Sequence, residues 1–378
     1  MIKYILSISL AVIFGQTPKP GLPVSINDIR INQLQVIGSH NSYRIKTPKS
    51  ILNIIALFDS TNAAQMDYTH LSLPDQFDHY GIRQIEIDVY HDPDGGLYSS
   101  RFGNLFTSLP MASGIDVLMN PGLKVLHFPD IDYETHYYTF TSALKAVKEW
   151  SDANPNHVPI FILVECKDEG IRDLFPFMFG VTKPLTFDYT ALETVDAEIK
   201  RVFGTHLEKV ITPDNVRGEA ETLEEAILTN GWPSLGESRG KVYFGLDNGG
   251  SIRDLYIKNH PSLSGRILFT DSKPGTPEAA FIKQNRPTEE IAKWVQQGYI
   301  VRTRADADTE QARTGDTNQR DSALSSGAQF ISTDYYVADA RNDSSELWSD
   351  YSVQLPNGVA VRLNPINGPK AFNDMIIE

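Results

Sequence analysis

The run RQIEIDVY, residues 83–90, decides the fold, because it is typical of a strand that is covered on both faces. It is short and rich in β-branched residues, and it carries charge at Arg83, Glu86 and Asp88. Seven other runs share this character: LQVIG (34–38), LKVLHF (123–128), PIFILVE (159–165), KVYFGL (241–246), RILFT (266–270), YIVRTR (299–304) and AQFIST (328–333). The eight runs predict eight buried parallel strands.

Helical patterns lie between these runs. One is a stretch whose apolar side chains fall on a single face, at Phe140, Ala143, Leu144, Val147 and Trp150. Strands that alternate with helices predict an α/β fold, a single TIM-type (βα)8 barrel that spans residues 16–378. The connection between the fourth and fifth predicted strands, about residues 166–240, is long and would carry an insertion. The alternative that the pattern leaves open is a doubly wound open sheet.

Composition and charge exclude some classes of partner. The chain has 378 residues, is 41% hydrophobic and carries a formal net charge of −14. Such a surface does not attract nucleic acid over long range, and an anionic substrate would need a local site or a metal ion. We infer no protein partner. The single cysteine, Cys166, excludes an internal disulfide and is expected in the core.

The first 15 residues, MIKYILSISLAVIFG, have the pattern of a secretory signal peptide. A lysine at position 3 precedes an apolar stretch that is too short to span a bilayer. We therefore expect a cleaved signal peptide and a secreted or periplasmic protein. A buried N-terminal helix is the alternative.

Polar side chains end seven of the eight predicted strands, where a barrel carries its catalytic groups. They include His40, Asn41, Glu86, Asp88, His127, Glu165, Lys167, Asp247, Arg302, Arg304, Asp334 and Tyr336. Buried charge is costly unless it is paired or bound to metal, so this distribution is not expected from packing alone.

Spacing within the strands suggests a metal site. Glu86 and Asp88 are two residues apart and therefore leave one face of their strand. Three carboxylates in one barrel mouth would repel each other, and a divalent cation removes that conflict. The oxygen groups of Asn41, Glu86, Asp88 and Glu165 suit calcium better than zinc. Salt bridges to lysine and arginine are the alternative explanation.

The histidines His40 and His127 are candidates for acid–base chemistry, because histidine gains and loses a proton near neutral pH. A lone histidine at a strand end is commonly structural. Two of them beside a carboxylate cluster favour catalysis. His91, in the turn-like stretch YHDPDGG, is expected in a loop.

Several stretches, taken in order, resemble one family. They are GSHNSY (38–43), RQIEIDVYHDPDGG (83–96), KVLHFPDIDY (124–133), ILVECKD (162–168), VRTRADADTEQARTGD (301–316) and GAQFISTDYY (327–336). Together they resemble the catalytic region of phosphoinositide-specific phospholipases C, and most closely the secreted bacterial calcium-dependent type. The resemblance extends from about residue 33 to 337.

The resemblance implies a barrel that cleaves phosphatidylinositol to diacylglycerol and a cyclic inositol phosphate, which water can then open. It implies one calcium ion on Asn41, Glu86, Asp88 and Glu165, and two catalytic histidines at His40 and His127. It leaves open which histidine is the acid, although His127 is the better candidate. Substrate-binding roles are expected for Lys167, Arg304, Asp247, Asp334 and Tyr336, at a membrane or micelle surface that contains phosphatidylinositol.

Two rival functions remain open. A glycerophosphodiester phosphodiesterase or a phospholipase D-like enzyme would share the barrel and the Glu-x-Asp pair. Such enzymes usually carry His-Arg-Gly after the first strand, whereas this chain has His40-Asn41-Ser42. The other rival is a catalytically dead secreted module that binds lipid or sugar.

The segment DLFPFMFGVTKPLTFDY, residues 173–189, lies in the long connection and is crowded with large apolar side chains. If they are exposed, they would contact lipid close to the barrel mouth. If they are buried, they would pack the connection onto the barrel.

Overall fold

The computed structural model describes residues 25–174, 179–372 and 375–378. The predicted signal peptide, residues 1–15, lies outside the described residues. The strands of the described part are β1 (Leu34–Ser39), β2 (Gln84–Tyr90), β3 (Lys124–Val125), β4 (Ile160–Cys166), β5 (Val210–Ile211), β6 (Val242–Leu246), β7 (Leu268–Thr270), β8 (Phe281–Lys283), β9 (Ile300–Arg304), β10 (Phe330–Thr333) and β11 (Val361–Leu363).

Helices cover the outside of the sheet and fill the connections. Those of the described residues are α1 (Lys49–Phe58), α2 (Ser60–Gln65), α3 (Leu73–Tyr80), α4 (Phe140–Ala153), α5 (Ile171–Leu174), α6 (Tyr189–Phe203), α7 (Pro213–Arg217), α8 (Leu223–Thr229), α9 (Leu235–Ser238), α10 (Gly250–Ile257), α11 (Glu289–Gln297), α12 (Glu310–Thr314) and α13 (Asn318–Ser326). Helix α4 buries all five apolar residues that the sequence placed on one face. In the described part of the chain, none of these helices has the length and apolar character that a bilayer span requires.

Eight parallel strands form a ring in the order β1, β2, β4, β6, β7, β8, β9 and β10. A parallel bridge between Asp271 and Phe281 joins the segment after β7 to β8 and closes the ring. Strand β10 returns to β1 over four paired positions. The predicted (βα)8 barrel is therefore confirmed, and α5 to α9 with the short strand β5 lie in its long connection between β4 and β6.

One predicted strand of the barrel is wrong, and one strand of the barrel was not predicted. Of the run 123–128 only Lys124–Val125 is a strand, β3, and it pairs antiparallel with β2 outside the ring. The chain then doubles back, with Phe128 bridged to Asp132. The eighth strand of the barrel is instead β8, which is three residues long and was not predicted from the sequence.

The inside of the barrel changes from apolar to polar along each strand. At the end where the strands begin, the rings of Phe161, Tyr243, Phe281 and Phe330 pack together, with Phe161 stacked on Phe330 at 4.7 Å between centroids. Side chains two and four residues further along a strand point the same way. On β4 this alternation runs from Phe161 to Glu165, so the apolar floor supports a polar mouth.

The close approach of β1 to β2 depends on a glycine. Gly38 is paired with Gln84 in the register of the two strands. A Cβ at position 38 would lie 1.9 Å from Gln84 Oε1, so a larger residue would collide with the buried Gln84 side chain. Glycine here lets the strand ends that carry His40 and Glu86 come together.

Candidate active site

Most of the predicted polar residues gather at one end of the barrel, where the parallel strands end. His40 follows β1 directly, Asp247 follows β6 and Asp334 follows β10. Glu165 lies near the end of β4, and Glu86 lies within β2 at the level where β1 ends. Barrel topology thus brings together side chains that are far apart in sequence.

His40 is held by a buried carboxylate. Its Nδ1 lies 2.8 Å from Asp334 Oδ1, while its Nε2 lies 3.3 Å from Arg304 Nη1 and 3.5 Å from Glu86 Oε1. Burial lowers the pKa of His40 to about 3. The charge of Arg304 lowers this pKa as well, whereas the charge of Asp334 raises it. His40 is therefore neutral near pH 7, and a proton on Nδ1, shared with Asp334, leaves Nε2 as a base.

Asp334 is itself anchored. Arg304 Nη2 donates to its Oδ2 at 2.8 Å, and its backbone N–H donates to Asp306 Oδ1 at 2.9 Å. Burial alone would raise the pKa of Asp334, but His40 and Arg304 hold it well below its ordinary value. Asp334 therefore stays ionised and fixes the ring of His40.

His127 forms a second histidine–aspartate pair, although it lies in a loop and not at the end of a barrel strand. Its Nδ1 lies 2.7 Å from Oδ2 of the buried Asp132. Burial and the Lys167 ammonium lower the pKa of His127, and Asp132 opposes them. Sequence reasoning missed Asp132, five residues after His127 in the stretch HFPDID.

Three carboxylates converge in the mouth. Glu86, Glu165 and Asp247 each present an oxygen within 4.8 Å of the others, within the part of the chain that the structure describes. Burial raises the pKa of Glu86 to about 8, and Asp247, Asp88 and Glu165 contribute to the rise against Arg302. The predicted clustering of Glu86 with Glu165 is thus present, and Asp247 joins them.

Asp88 lies beside this group and has a different neighbour. Lys167 Nζ lies 3.2 Å from Asp88 Oδ2 and 3.7 Å from Glu165 Oε2. Burial raises the pKa of Asp88 to about 7, while Lys167 lowers it and Glu165 raises it. The two carboxylates hold the pKa of Lys167 above its ordinary value.

Two further cations balance the cluster. Arg302 Nη2 donates to Glu86 Oε2 at 2.8 Å, and Lys283 Nζ donates to Asp247 Oδ2 at 2.6 Å. Lys283 belongs to β8. Because that strand was not predicted, the position of Lys283 in the site could not be predicted from the sequence either. Each converging carboxylate thus has its own basic neighbour, as the salt-bridge alternative expected.

Unsatisfied oxygens show that the salt bridges do not use all the acceptors. Asn41 Oδ1, Asp247 Oδ1 and Asp88 Oδ1 are buried and accept no hydrogen bond from the described residues. Asn41 holds a left-handed backbone with φ of 48°, and the next residue bonds to the backbone of Glu86 in both directions. Buried acceptors without donors are costly, and a hard cation that prefers oxygen ligands would satisfy them. The residues present fit calcium.

Two other predicted residues lie away from the cluster. Tyr336 is buried against His70, at 5.4 Å between ring centroids, and its hydroxyl accepts a hydrogen bond from the Leu71 backbone N–H. His91 lies in a loop, as expected, with its ring 6.0 Å from that of Phe187. Cys166 is buried and free, as the sequence indicated.

A parallel barrel whose mouth holds two histidine–aspartate pairs and converging carboxylates is the architecture of an enzyme. The profile of the family described as phosphoinositide phospholipase C, Ca2+-dependent, matches residues 29–365. The chain therefore belongs to the calcium-dependent phosphoinositide phospholipase C family, whose members are phosphodiesterases, and calcium is its cofactor. The resemblance noted in the sequence is confirmed.

Solved structures agree with the fold. One is a calcium-dependent phosphoinositol-specific phospholipase C of a Gram-negative Pseudomonas species, 13% identical, with a TM-score of 0.52 over 90% of this chain and 98% of that one. A second structure from Pseudomonas, described as a myoinositol complex, gives a TM-score of 0.51 at 13% identity over 92% and 100%. At this identity the likeness concerns the fold alone. No curated protein sequence matches the chain significantly.

Proposed function

We propose that this protein cleaves phosphatidylinositol into diacylglycerol and a cyclic inositol phosphate by acid–base catalysis between His40 and His127. The observation that carries this proposal is the pair of histidine–aspartate contacts, at 2.8 and 2.7 Å, beside one carboxylate cluster. This cleavage requires that a proton is removed from the attacking inositol hydroxyl and that a proton is delivered to the leaving glycerol oxygen. Two oriented histidines can carry out these two transfers.

In the first half of the step, His40 acts as the base. A hydroxyl of the inositol ring next to the phosphate loses its proton to Nε2 of His40, and its oxygen forms a bond to phosphorus. The Asp334 carboxylate stabilises the imidazolium that results, because its negative charge lies 2.8 Å from Nδ1. Arg304, beside both residues, is suited to hold a phosphate oxygen.

In the second half, His127 acts as the acid. The bond between phosphorus and the glycerol oxygen breaks, and that oxygen takes a proton from His127. In the free site, burial and Lys167 lower the pKa of His127. An anionic phosphate close to the ring would raise it again and favour the proton-bearing form. Lys167 is suited to bind an oxygen of the phosphate or of the ring.

Calcium would be held by Glu86, Glu165 and Asp247 with Asn41 and Asp88, and when bound it would supply positive charge for the phosphate and acidify the attacking hydroxyl. The alternative role for these carboxylates is salt bridging alone. Buried oxygens that the salt bridges leave without donors favour the metal site.

We further propose that the mouth faces the lipid surface through an apolar rim, defined as Leu57, Phe58, Leu105, Phe106 and Phe179. Their exposed fractions are 82%, 85%, 55%, 58% and 84%. They lie on three connections that follow β1, β2 and β4, at the barrel end that carries the site. Helix α1 contacts the short helix Phe102–Phe106, and position 180 contacts Phe102. Of the aromatic segment in the sequence, Phe179 is described, and residues 175–178 lie outside the described residues.

Residues 16–378 would form this one catalytic domain, and residues 1–15 would direct its export. Secretion would bring the enzyme to lipid surfaces outside the cell that makes it. N-terminal sequencing of protein recovered from the culture medium tests this: a mature chain that begins after residue 15 is expected, and full-length protein kept inside the cells would contradict it.

Phosphorus NMR of phosphatidylinositol micelles incubated with the protein tests the function. We expect a five-membered cyclic inositol phosphate to appear first, together with diacylglycerol. Phosphatidic acid would indicate a phospholipase D, and unchanged micelles together with glycerophosphate formed from added glycerophosphoinositol would indicate a glycerophosphodiester phosphodiesterase. An unchanged lipid spectrum with calcium present would indicate a binding module.

A further inference from the structure

Arg44 is an arginine without solvent contact that lies in the same turn as His40 and Asn41. Its relative exposure is 0%. It directs two donors at one carboxylate oxygen: Nε lies 3.0 Å and Nη2 lies 2.7 Å from Asp132 Oδ2. Burial of both charges is costly, so the pair is expected only where its geometry is closely held.

The guanidinium of Arg44 also makes contacts with two backbone oxygens and one aromatic ring. Nη1 donates to the backbone oxygen of Tyr68 and Nη2 to that of Met66, both at 2.6 Å. The guanidinium lies 4.2 Å from the centre of the Tyr68 ring. These contacts fix the plane of the group and therefore the direction from which it meets Asp132.

Asp132 passes this constraint on to the catalytic ring. The oxygen that accepts from Arg44 also lies 2.7 Å from His127 Nδ1, and its other oxygen accepts from Thr47 Oγ1 at 2.6 Å. Burial alone would raise the pKa of Asp132, but Arg44 and His127 hold it well below its ordinary value. The Asp132 carboxylate is therefore ionised and oriented towards His127.

The position of His127 in the fold explains why such a support is needed. His127 lies in a loop outside the barrel ring, whereas His40 directly follows the barrel strand β1. Backbone contacts join the two regions: Arg44 is bridged to Thr135, and His136 N donates to the Tyr43 oxygen at 2.9 Å. Arg44 adds the side-chain connection between the turn after β1 and this loop.

We propose that Arg44 is a positioning residue that holds the Asp132–His127 pair in the orientation that proton delivery to the leaving glycerol oxygen requires. The inference rests on the proposed role of His127. Lysine cannot fully replace Arg44, because a single ammonium cannot make the paired contacts of Nε and Nη2 with Asp132.

The test compares Arg44→Lys and Arg44→Met with a matched control, Arg266→Lys. Arg266 is also buried and lies near acidic partners, with Nη1 3.4 Å from Asp196 Oδ2, but it is remote from the mouth. The readouts are the titration of the His127 ring nitrogens by NMR, kcat and KM on a soluble short-chain substrate, and the melting temperature.

Arg44→Lys should lower kcat roughly 10- to 100-fold with little change in KM, because small misplacements of catalytic groups cost about this much. Arg44→Met should in addition raise the pKa of His127, since a cation that lowers it is gone. Arg266→Lys should change the melting temperature and leave kcat and the titration of His127 as in the wild type.

If both Arg44 variants change only the melting temperature, as the control does, the proposal is overturned. If they do not fold, Thr47→Val decides, since it keeps the charge of Arg44 and removes both the bond to Asp132 Oδ1 and the contact of Arg44 Nη2 with Thr47 Oγ1 at 3.3 Å. A several-fold fall in kcat supports the proposal, and an unchanged kcat and His127 titration overturns it. If the wild type does not turn over phosphatidylinositol, the proposed function fails, yet the titration of His127 still tests the positioning role.

Discussion

His40 Nδ1 lies 2.8 Å from Asp334 Oδ1, and the two residues follow neighbouring strands of the barrel, β1 and β10. The carboxylate is 5% exposed and receives a further bond from Arg304. The direction of the His40 ring is therefore set by the backbone register of two strands. Asp334, which the sequence analysis expected to bind substrate, contacts His40 in the structure.

Removal of either histidine should lower turnover strongly. We expect His40→Ala and His127→Ala each to reduce kcat by roughly 10²–10⁴-fold, because each removes one proton transfer. Asp334→Asn should also lower kcat, since the amide cannot stabilise a charged His40. The measurement is kcat on soluble short-chain phosphatidylinositol, with circular dichroism to show that the fold remains.

His91→Ala is the control for these variants. His91 lies in a loop and its ring packs near Phe187. We expect kcat within a few-fold of the wild type. A loss as large as that of His127→Ala would show that the second catalytic histidine is assigned to the wrong residue.

The three converging carboxylates should determine calcium affinity. Asp247→Asn and Glu86→Gln should each weaken calcium binding measured by calorimetry, because each removes a charged oxygen from the cluster. Asp88→Asn should also weaken it, since Lys167 would then lack one of its two acidic partners and would repel the cation. Glu289→Gln, on helix α11, should bind calcium as the wild type does; equal weakening in that variant would point to a general charge effect.

Calcium binding should strengthen as the pH rises from 6 to 8. Burial raises the pKa of Glu86 to about 8 and that of Asp88 to about 7, so below these values the free site carries protons. Calcium must displace them, and the apparent affinity should rise by up to about tenfold per pH unit for each proton released. Above pH 8 the affinity should level off.

Calorimetry in two buffers with different ionisation enthalpies counts the protons released. We expect one to two protons per calcium at pH 6 and close to none at pH 9. Affinity that is independent of pH, without proton release, would contradict protonated carboxylates in the free site.

The apolar rim should matter at a lipid surface and not in solution. Phe58→Ser and Phe106→Ser together should weaken binding to phosphatidylinositol vesicles at least several-fold, since each exposed ring would otherwise enter the interface. Activity on soluble short-chain substrate should stay close to the wild-type value. Vesicle sedimentation and the two activities are the measurements.

Ile376→Ser is the matched control for the rim. Ile376 is 84% exposed, but the nearby Glu378 is paired with Arg83 and with the backbone of Val158, at the opposite end of the barrel. Vesicle binding should therefore be unchanged. Equal losses on vesicles and on soluble substrate in the rim variants would show that the rings support the fold.

The residues that the sequence predicted well depend on local alternation. Glu165 shares the inward face of β4 with Phe161 and Leu163, and Glu86 shares one face of β2 with Asp88, so their place could be predicted from a strand pattern alone. Helix α4 was likewise expected from its apolar face, and it spans Phe140–Ala153.

Residues that depend on the path of the chain between strands could not be predicted in this way. The run 123–128 has the composition of a strand, yet the chain turns back after β3, where Asp130 has φ of 69°. That turn brings His127 and Asp132 together, and no hydrophobic periodicity in the sequence predicts this pair. Strand β8 has only three residues, too few to show an alternation, and so Lys283 was not recognised.

The most direct test of the central claim is turnover of soluble short-chain phosphatidylinositol by protein stripped of metal, with metal content measured by elemental analysis. We predict no cyclic inositol phosphate from the stripped protein, recovery of activity on addition of calcium, and poor recovery with magnesium, which prefers a smaller octahedral shell. Full activity in excess chelator, on protein shown to contain no metal, would contradict the calcium site and leave Glu86, Glu165 and Asp247 as partners of Arg302, Lys167 and Lys283 alone.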